Sequence, residues 1–299
     1  SYSNTGYTIV GSVIERVTGK PLGALLDERI FQPLGMRRTV FEPTTLDRRA
    51  NGYMSWALGD PELALPEGRG WIGAAGGIWS TAADLARWNL ALMRPGFLAP
   101  ASRAVLFGER MLRDGTPTGY AGGLGVNRIR GRTVYAHGGA TSGFAASSAF
   151  VPEDTAAVVV LVNSDQNITA AVPIDLVSPP RATAPPERPR RAQQEVPPPT
   201  PRGAPAQQVA VDFIKALQRG QVVRSTLGEE YSAFLTAERV ASAARSLAPL
   251  GEIKNSAILS RWERGGMEVV AVRVSFATRD VSVLMYRTPD GAIQRYLLW

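Results

Sequence analysis

The 299-residue chain has no cysteine and a single histidine, His137. The first lack excludes disulfides, thiol nucleophiles and cysteine-ligated metal clusters, and the second excludes a multi-histidine metal centre. No cofactor is expected. Lysine is scarce too: Lys20, Lys215 and Lys254 stand against 30 arginines. Long hydrophobic runs are missing. The longest, Ala156 to Val162, has seven residues, against ~20 for a helix that crosses a bilayer, so no membrane span is expected. Two common signatures are absent as well: the G-x-S-x-G elbow and the G-x-x-x-x-G-K-[ST] phosphate loop.

What is present begins with a formal net charge of +7. Residues 178–205 hold five arginines against two glutamates, so nearly half of the excess sits in one stretch. A nucleic-acid footprint clusters cations on a folded face, and no nucleic-acid partner is expected here. The same stretch carries ten of the 22 prolines and almost no large apolar residue. It cannot bury enough surface to fold and reads as a semi-rigid linker over 178–205. It separates a domain at 1–177 from a smaller one at 206–299. With 44% apolar residues, both can hold a packed core.

The first domain reads as mixed α/β. Tyr7, Val10, Ile14 and Val17 recur at helical spacing and Gly19 supplies a stop. Pro21 opens a second helix through Leu22, Leu25, Leu26 and Ile30. Thr81 and Asp84 have capping-box spacing before a helix with Leu85, Trp88 and Leu92 on one side. Strand signals follow at 120–128, 132–136, 143–151 and 155–163, the last with an apolar run suited to burial on both faces. A helix is expected at 167–176. Beyond the linker, Val209, Phe213 and Leu217 mark a helix ending at Gly220, and another spans 236–247. Val270, Val272, Val274 and Phe276 alternate as a half-buried strand does. Gly265-Gly266 and Pro289-Asp290-Gly291 read as turns, giving helices on an antiparallel meander.

Several short phrases occur in a fixed order: Tyr2-Ser3-Asn4, then Pro33-Leu34-Gly35-Met36, then Ala75-Gly76-Gly77-Ile78-Trp79-Ser80-Thr81, then His137-Gly138-Gly139-Ala140-Thr141. In order and context residues 1–177 resemble the penicillin-recognising serine hydrolases related to class C β-lactamases, which include D-Ala-D-Ala carboxypeptidases, D-aminopeptidases and β-lactamase-like esterases. The resemblance implies a fold of the α/β (α+β) class, a transpeptidase-like antiparallel sheet with flanking helices. The C-terminal part resembles the small cone-like α+β modules appended to such enzymes.

The resemblance also implies roles. In this family a serine attacks an acyl carbonyl while a lysine and the tyrosine of Tyr-x-Asn handle its proton. Tyr2 matches that tyrosine, and Asn4 the asparagine that hydrogen-bonds lysine and substrate. A phenol with a pKa near ~10 needs adjacent positive charge to act as a base at neutral pH. His137-Gly138-Gly139 matches the Lys-Thr-Gly of the strand edging the site. There Gly139 lets a substrate backbone approach, the N–H of Ala140 serves as an oxyanion-hole donor, and Gly138 and Thr141 line the substrate. The implied partner is a small-molecule or peptide substrate, and the implied location is periplasmic or secreted. Oligomeric state is not readable.

Two departures qualify this. His137 replaces the strand lysine with a group titrating near neutrality, and Gly138 lacks the threonine hydroxyl that binds a β-lactam carboxylate. Ester, amide or D-amino-acid peptide substrates are therefore expected over β-lactams. Moreover, no lysine has a serine three positions before it, where Val17, Asp212 and Gly251 stand. The Ser-x-x-Lys nucleophile segment is expected upstream of residue 1 in a longer protein, with this chain inactive alone and prone to expose a sheet edge and an apolar face. The alternatives are a non-catalytic peptidoglycan- or peptide-binding module on the same fold, or Ser1 as an N-terminal nucleophile.

Overall fold

The computed structural model describes residues 2–45, 49–65, 67–68, 70–129, 131–164 and 197–299. The helix expected at 167–176 and linker residues 178–196 lie outside these. The chain divides into two compact units, Ser1–Met54 with Leu63–Glu187, and Ser55–Glu62 with Arg188–Trp299. Sequence reading placed residues 55–62 in the N-terminal domain, whereas they group with the C-terminal unit.

In the first unit, α1 (Asn4–Thr18) starts at Ser3, whose hydroxyl accepts from the Gly6 N–H, and stops at Gly19 with φ 68°. Of the residues whose spacing marks this helix, Tyr7 and Ile14 are half-buried while Val10 and Val17 are exposed, and the closest approach is at Gly11, where a Cβ would fall 2.4 Å from that of Ala74. α2 (Leu22–Leu26) runs into one wider turn at Asp27–Phe31. Short strands β1 (Val40–Phe41), β2 (Tyr53–Met54), β3 (Glu62–Leu63) and β4 (Ile78–Trp79) follow, β1 pairing with β4 and β2 with β3. α3 (Ala82–Met93) is capped by Thr81, which accepts from the Asp84 N–H. The buried Asp84 carboxylate turns to Arg38 N–H, the Thr39 hydroxyl and the Arg87 guanidinium. After α4 (Pro100–Phe107) comes an antiparallel meander in the order β5 (Gly125–Ile129), β6 (Arg132–Thr141), β7 (Phe144–Val151), β8 (Ala156–Val162).

α3 covers one face of this sheet, with Leu92 and Met93 against Phe150 and the partly buried Trp88, Tyr135 and Ala157. Val134, Ala149, Val151 and Val158 form a separate cluster. The apolar run of β8 thus serves two clusters, yet the strand is only half-buried, contrary to expectation. Among the described residues it pairs with β7 alone, and Leu161 is 39% exposed.

The second unit packs α5 (Ala206–Gln218), α6 (Glu229–Phe234) and α7 (Ala237–Leu247) with the meander β9 (Ile253–Arg264), β10 (Met267–Phe276), β11 (Asp280–Arg287) and β12 (Ile293–Leu298). Val270, Val272, Val274 and Phe276 all point into its core, as their alternation requires. Glu268, 1% exposed, pairs with the equally buried Arg287 and with Arg261. These arginines also donate to the carbonyls of Ala204 and Pro199, so the pair pins the start of the unit to its sheet.

Candidate active site

Register decides what β6 can present. Its first half pairs on both sides, with β5 ending at Gly125 opposite Ala136. From His137 to Thr141 it pairs, among the described residues, only with β7, His137 opposite Ser148 and Thr141 opposite Phe144. The two-residue turn Ser142-Gly143 makes Thr141 and Phe144 a hydrogen-bonded closing pair, and such pairs alternate along an antiparallel ladder. Gly138 and Ala140 therefore turn their N–H and C=O groups away from β7, past the end of β5. This is an open strand edge. It is held from behind by the buried Asn89 of α3, whose amide donates to the Ser148 hydroxyl at 2.8 Å.

An aromatic cluster gathers where this edge begins. The Tyr2 ring, which precedes the α1 cap, lies 5.7 Å from the His137 ring, 5.5 Å from Tyr7 and 6.1 Å from Tyr120. The Tyr120 hydroxyl lies 3.1 Å from His137 Nε2 and 3.2 Å from the Tyr7 hydroxyl. Tyr120 is held by its carbonyl, which accepts from Arg110 N–H, and by the tight turn through Gly123 at φ 94°.

Burial, and after it the neighbouring Tyr7, pushes the Tyr2 phenol above its ordinary value. Tyr120 is pushed up more strongly, first by burial and then by its bond to Tyr7. His137 is drawn below the ordinary imidazole value by desolvation, against which a hydrogen bond with the Gly138 backbone works. Sequence reasoning gave His137 a titratable charge near neutrality, and among these rings desolvation disfavours that charge.

The sequence-derived residues Tyr2 and His137 are thus brought together. Gly138, Gly139 and Ala140 lie exposed along the same strand, and Thr141 closes it. Around a Cβ built on Gly139 nothing among the described residues lies within 4 Å, so their packing does not require glycine there. Asn4 is exposed at the first position of α1, where its carbonyl accepts from the Thr8 hydroxyl. Tyr7 and Tyr120 were missed as site residues. Tyr7 was read only as part of a helical stripe, and Tyr120 stands in no motif and lies 113 residues away in sequence.

The Beta-lactamase family model matches residues 1–177. The chain belongs to the beta-lactamase family. Among curated proteins it is 30% identical over 181 residues to Unguisins hydrolase ungD' of Aspergillus campestris, covering 54% of this chain and 33% of that protein. It is 28% identical over 172 residues to D-aminopeptidase of Brucella ovis, covering 57% and 33%. The chain thus spans about a third of the length of the curated relatives it matches. Among solved structures, a D-stereospecific amidohydrolase from Streptomyces sp. is 26% identical at TM-score 0.49, over 55% of this chain and 50% of that one. A penicillin binding protein from Bacillus halodurans gives the same identity and TM-score over 56% and 52%. Tyr2-Ser3-Asn4 and the His137 strand both lie within the matched region.

Proposed function

We propose that this chain contributes two walls of an acyl-transferring serine hydrolase site, the Tyr-x-Asn loop and the substrate strand, in a longer protein that also carries Ser-x-x-Lys. The observation that carries the reading is the approach of Tyr2 to His137 at the start of the open edge. A carbonyl substrate lying along that edge would add to β6 as a short strand. The Ala140 N–H would then donate to the oxygen that becomes negative as the serine Oγ bonds to the acyl carbon. The proton leaves Oγ for the lysine–Tyr2 pair and passes to the departing amine or alcohol, so the acyl-enzyme forms with atoms and charge balanced.

Support comes from the family assignment, from relatives named as a D-aminopeptidase and an unguisins hydrolase, and from the lack of Ser-x-x-Lys among 299 residues. The raised phenol of Tyr2 fits too, because proton transfer would await a cation brought by another segment. With Gly138 lacking a hydroxyl, the substrates are esters, amides or D-amino-acid peptides. A periplasmic or secreted location accompanies this reading.

The test compares the chain alone with the chain fused to its upstream coding region, on a nitrophenyl ester and a D-alanyl anilide. Turnover is expected only in the longer protein, reduced by ~10²-fold or more in its Tyr2→Phe variant, as for loss of a general acid–base group. Ester turnover by the chain alone, or a fully active Tyr2→Phe variant of the longer protein, overturns it. The open edge also suits a second reading, a non-catalytic module that binds peptides along it. Saturable D-alanyl-peptide binding by a longer protein that turns over neither substrate selects that reading.

A further inference from the structure

Residues 55–62 leave the first unit after Met54, return to it at Leu63, and in between belong to the second. Trp56 is 6% exposed within the core of that second unit. Its ring meets Phe234 edge-on, and its indole N–H donates to the Tyr296 carbonyl at 2.9 Å, an oxygen that also accepts from the Tyr231 hydroxyl. A buried tryptophan is among the largest apolar anchors a segment can offer.

Charge follows the anchor. Asp60 meets Arg245 at 2.9 Å and donates its N–H to the Ser242 hydroxyl, while Glu62 meets Arg239 at 2.6 Å. Those three receptor side chains lie three residues apart along α7, on one face of the helix. Gly59 passes so close that a Cβ would fall 2.7 Å from Ser242 Oγ. Ala57 and Leu58 both adopt positive φ, 52° and 59°. L-residues avoid that region, and it persists where the surroundings over-determine the backbone.

On either side of this segment the chain grips one turn. Tyr53 N–H donates to the carbonyl of Gly143, Ala64 N–H donates to the carbonyl of Gly52, and Ser142 N–H donates to the Glu67 carboxylate. Gly143 is enclosed: a Cβ there would fall 2.5 Å from that of Ala64. This is the turn that follows Thr141 and ends the open edge.

We infer that residues 55–62 are a docking segment, with the C-terminal unit as its receptor and Trp56 as its anchor, and that docking fixes the β6–β7 turn through chain continuity at Met54 and Leu63. The receptor chemistry is an indole pocket rimmed by two arginines, and the ligand is an acidic, tryptophan-bearing segment of the same chain.

Amide hydrogen exchange on the full chain tests this without any turnover, so its outcome is separable from that of the hydrolase reading. In Trp56→Ala, exchange in peptides covering 50–54 and 139–146 is expected to quicken about tenfold or more, as local opening does. Strand β8 should keep its protection, and Trp56→Phe should restore most of the protection at the turn. Unchanged exchange at the turn, with β10 still protected, overturns the inference. Should β10 lose protection as well, the exposed pair decides. Asp60→Arg should quicken exchange at the turn, and Asp60→Arg with Arg245→Asp should restore it; absence of that rescue overturns the inference.

Discussion

The Tyr120 hydroxyl lies 3.1 Å from Nε2 of His137, the chain's single imidazole. That ring is partly open to solvent, and the rings of Tyr2 and Tyr120 crowd it at centroid distances of 5.7 and 6.2 Å. Desolvation opposes the imidazolium, so the folded chain holds His137 neutral to lower pH than an unfolded one does.

A titration should show this directly. Being alone, His137 gives one imidazole Hε1 resonance, and its midpoint is expected below 6.5. Because the folded state binds the proton less readily, the unfolded state holds more protons just below pH 6.5. Stability from this group is therefore complete above that pH and is lost as pH falls from it towards the folded midpoint. A midpoint at or above 6.5, or stability rising on acidification through this window, contradicts the arrangement.

Tyr120→Phe removes the hydroxyl shared by Tyr7 and His137 and keeps the ring. Both partners are partly open to water, so neither is left as a buried orphan. The expected cost is about 0.5–1.5 kcal/mol, the net worth of an ordinary hydrogen bond. Thermal unfolding measures it, and the His137 resonance should shift in the same variant. An unmoved resonance would show that the contact is not made in solution.

Much of this was legible because it is local. The α1 stop follows from Gly19 alone, the α3 cap from Thr81 and Asp84, and the turn at Gly265-Gly266 from its dipeptide. The open edge was legible only through the motif resemblance, since nothing in His137–Thr141 says that β5 ends at Gly125. Two features were not legible at all. Trp56 bonds to a carbonyl 240 residues away, and Tyr120 joins Tyr7 across 113 residues. Periodicity and turn chemistry report neighbours along the chain, and these contacts have none. Helical spacing located α1 but not its cover: Tyr7 and Ile14 are half-buried, while Val10 and Val17 are exposed.

Gly143 and Gly131 both have positive φ, 75° and 78°, so alanine at either pays for a left-handed backbone, roughly 1 kcal/mol. They differ in their surroundings. Around a Cβ at Gly131 nothing lies within 4 Å, while one at Gly143 would strike Ala64 and the backbone of Gly52 at 2.5–2.8 Å. Gly131→Ala should cost only the backbone term. Gly143→Ala should cost about 1–3 kcal/mol more, the usual range for overpacking. Paired chemical denaturation curves measure the difference, and equal losses would show that the grip on the turn is absent.

Gly139→Ala separates folding from function. The residue sits mid-strand, its φ is not positive, and no atom of the described residues lies within 4 Å of where its methyl would project. Alanine there relieves the strand entropy of glycine and meets nothing, so stability should change by no more than ~0.5 kcal/mol in either direction. If the edge from Gly138 to Ala140 takes a substrate backbone, that same methyl enters the substrate's path. The longer, nucleophile-bearing protein should then keep its melting temperature and lose turnover by about tenfold or more, the equivalent of ~1.4 kcal/mol in the transition state. A variant that melts like the parent and also turns over like it removes Gly139 from the substrate path. A variant that unfolds shows instead that packing at Gly139, not substrate, demands the glycine.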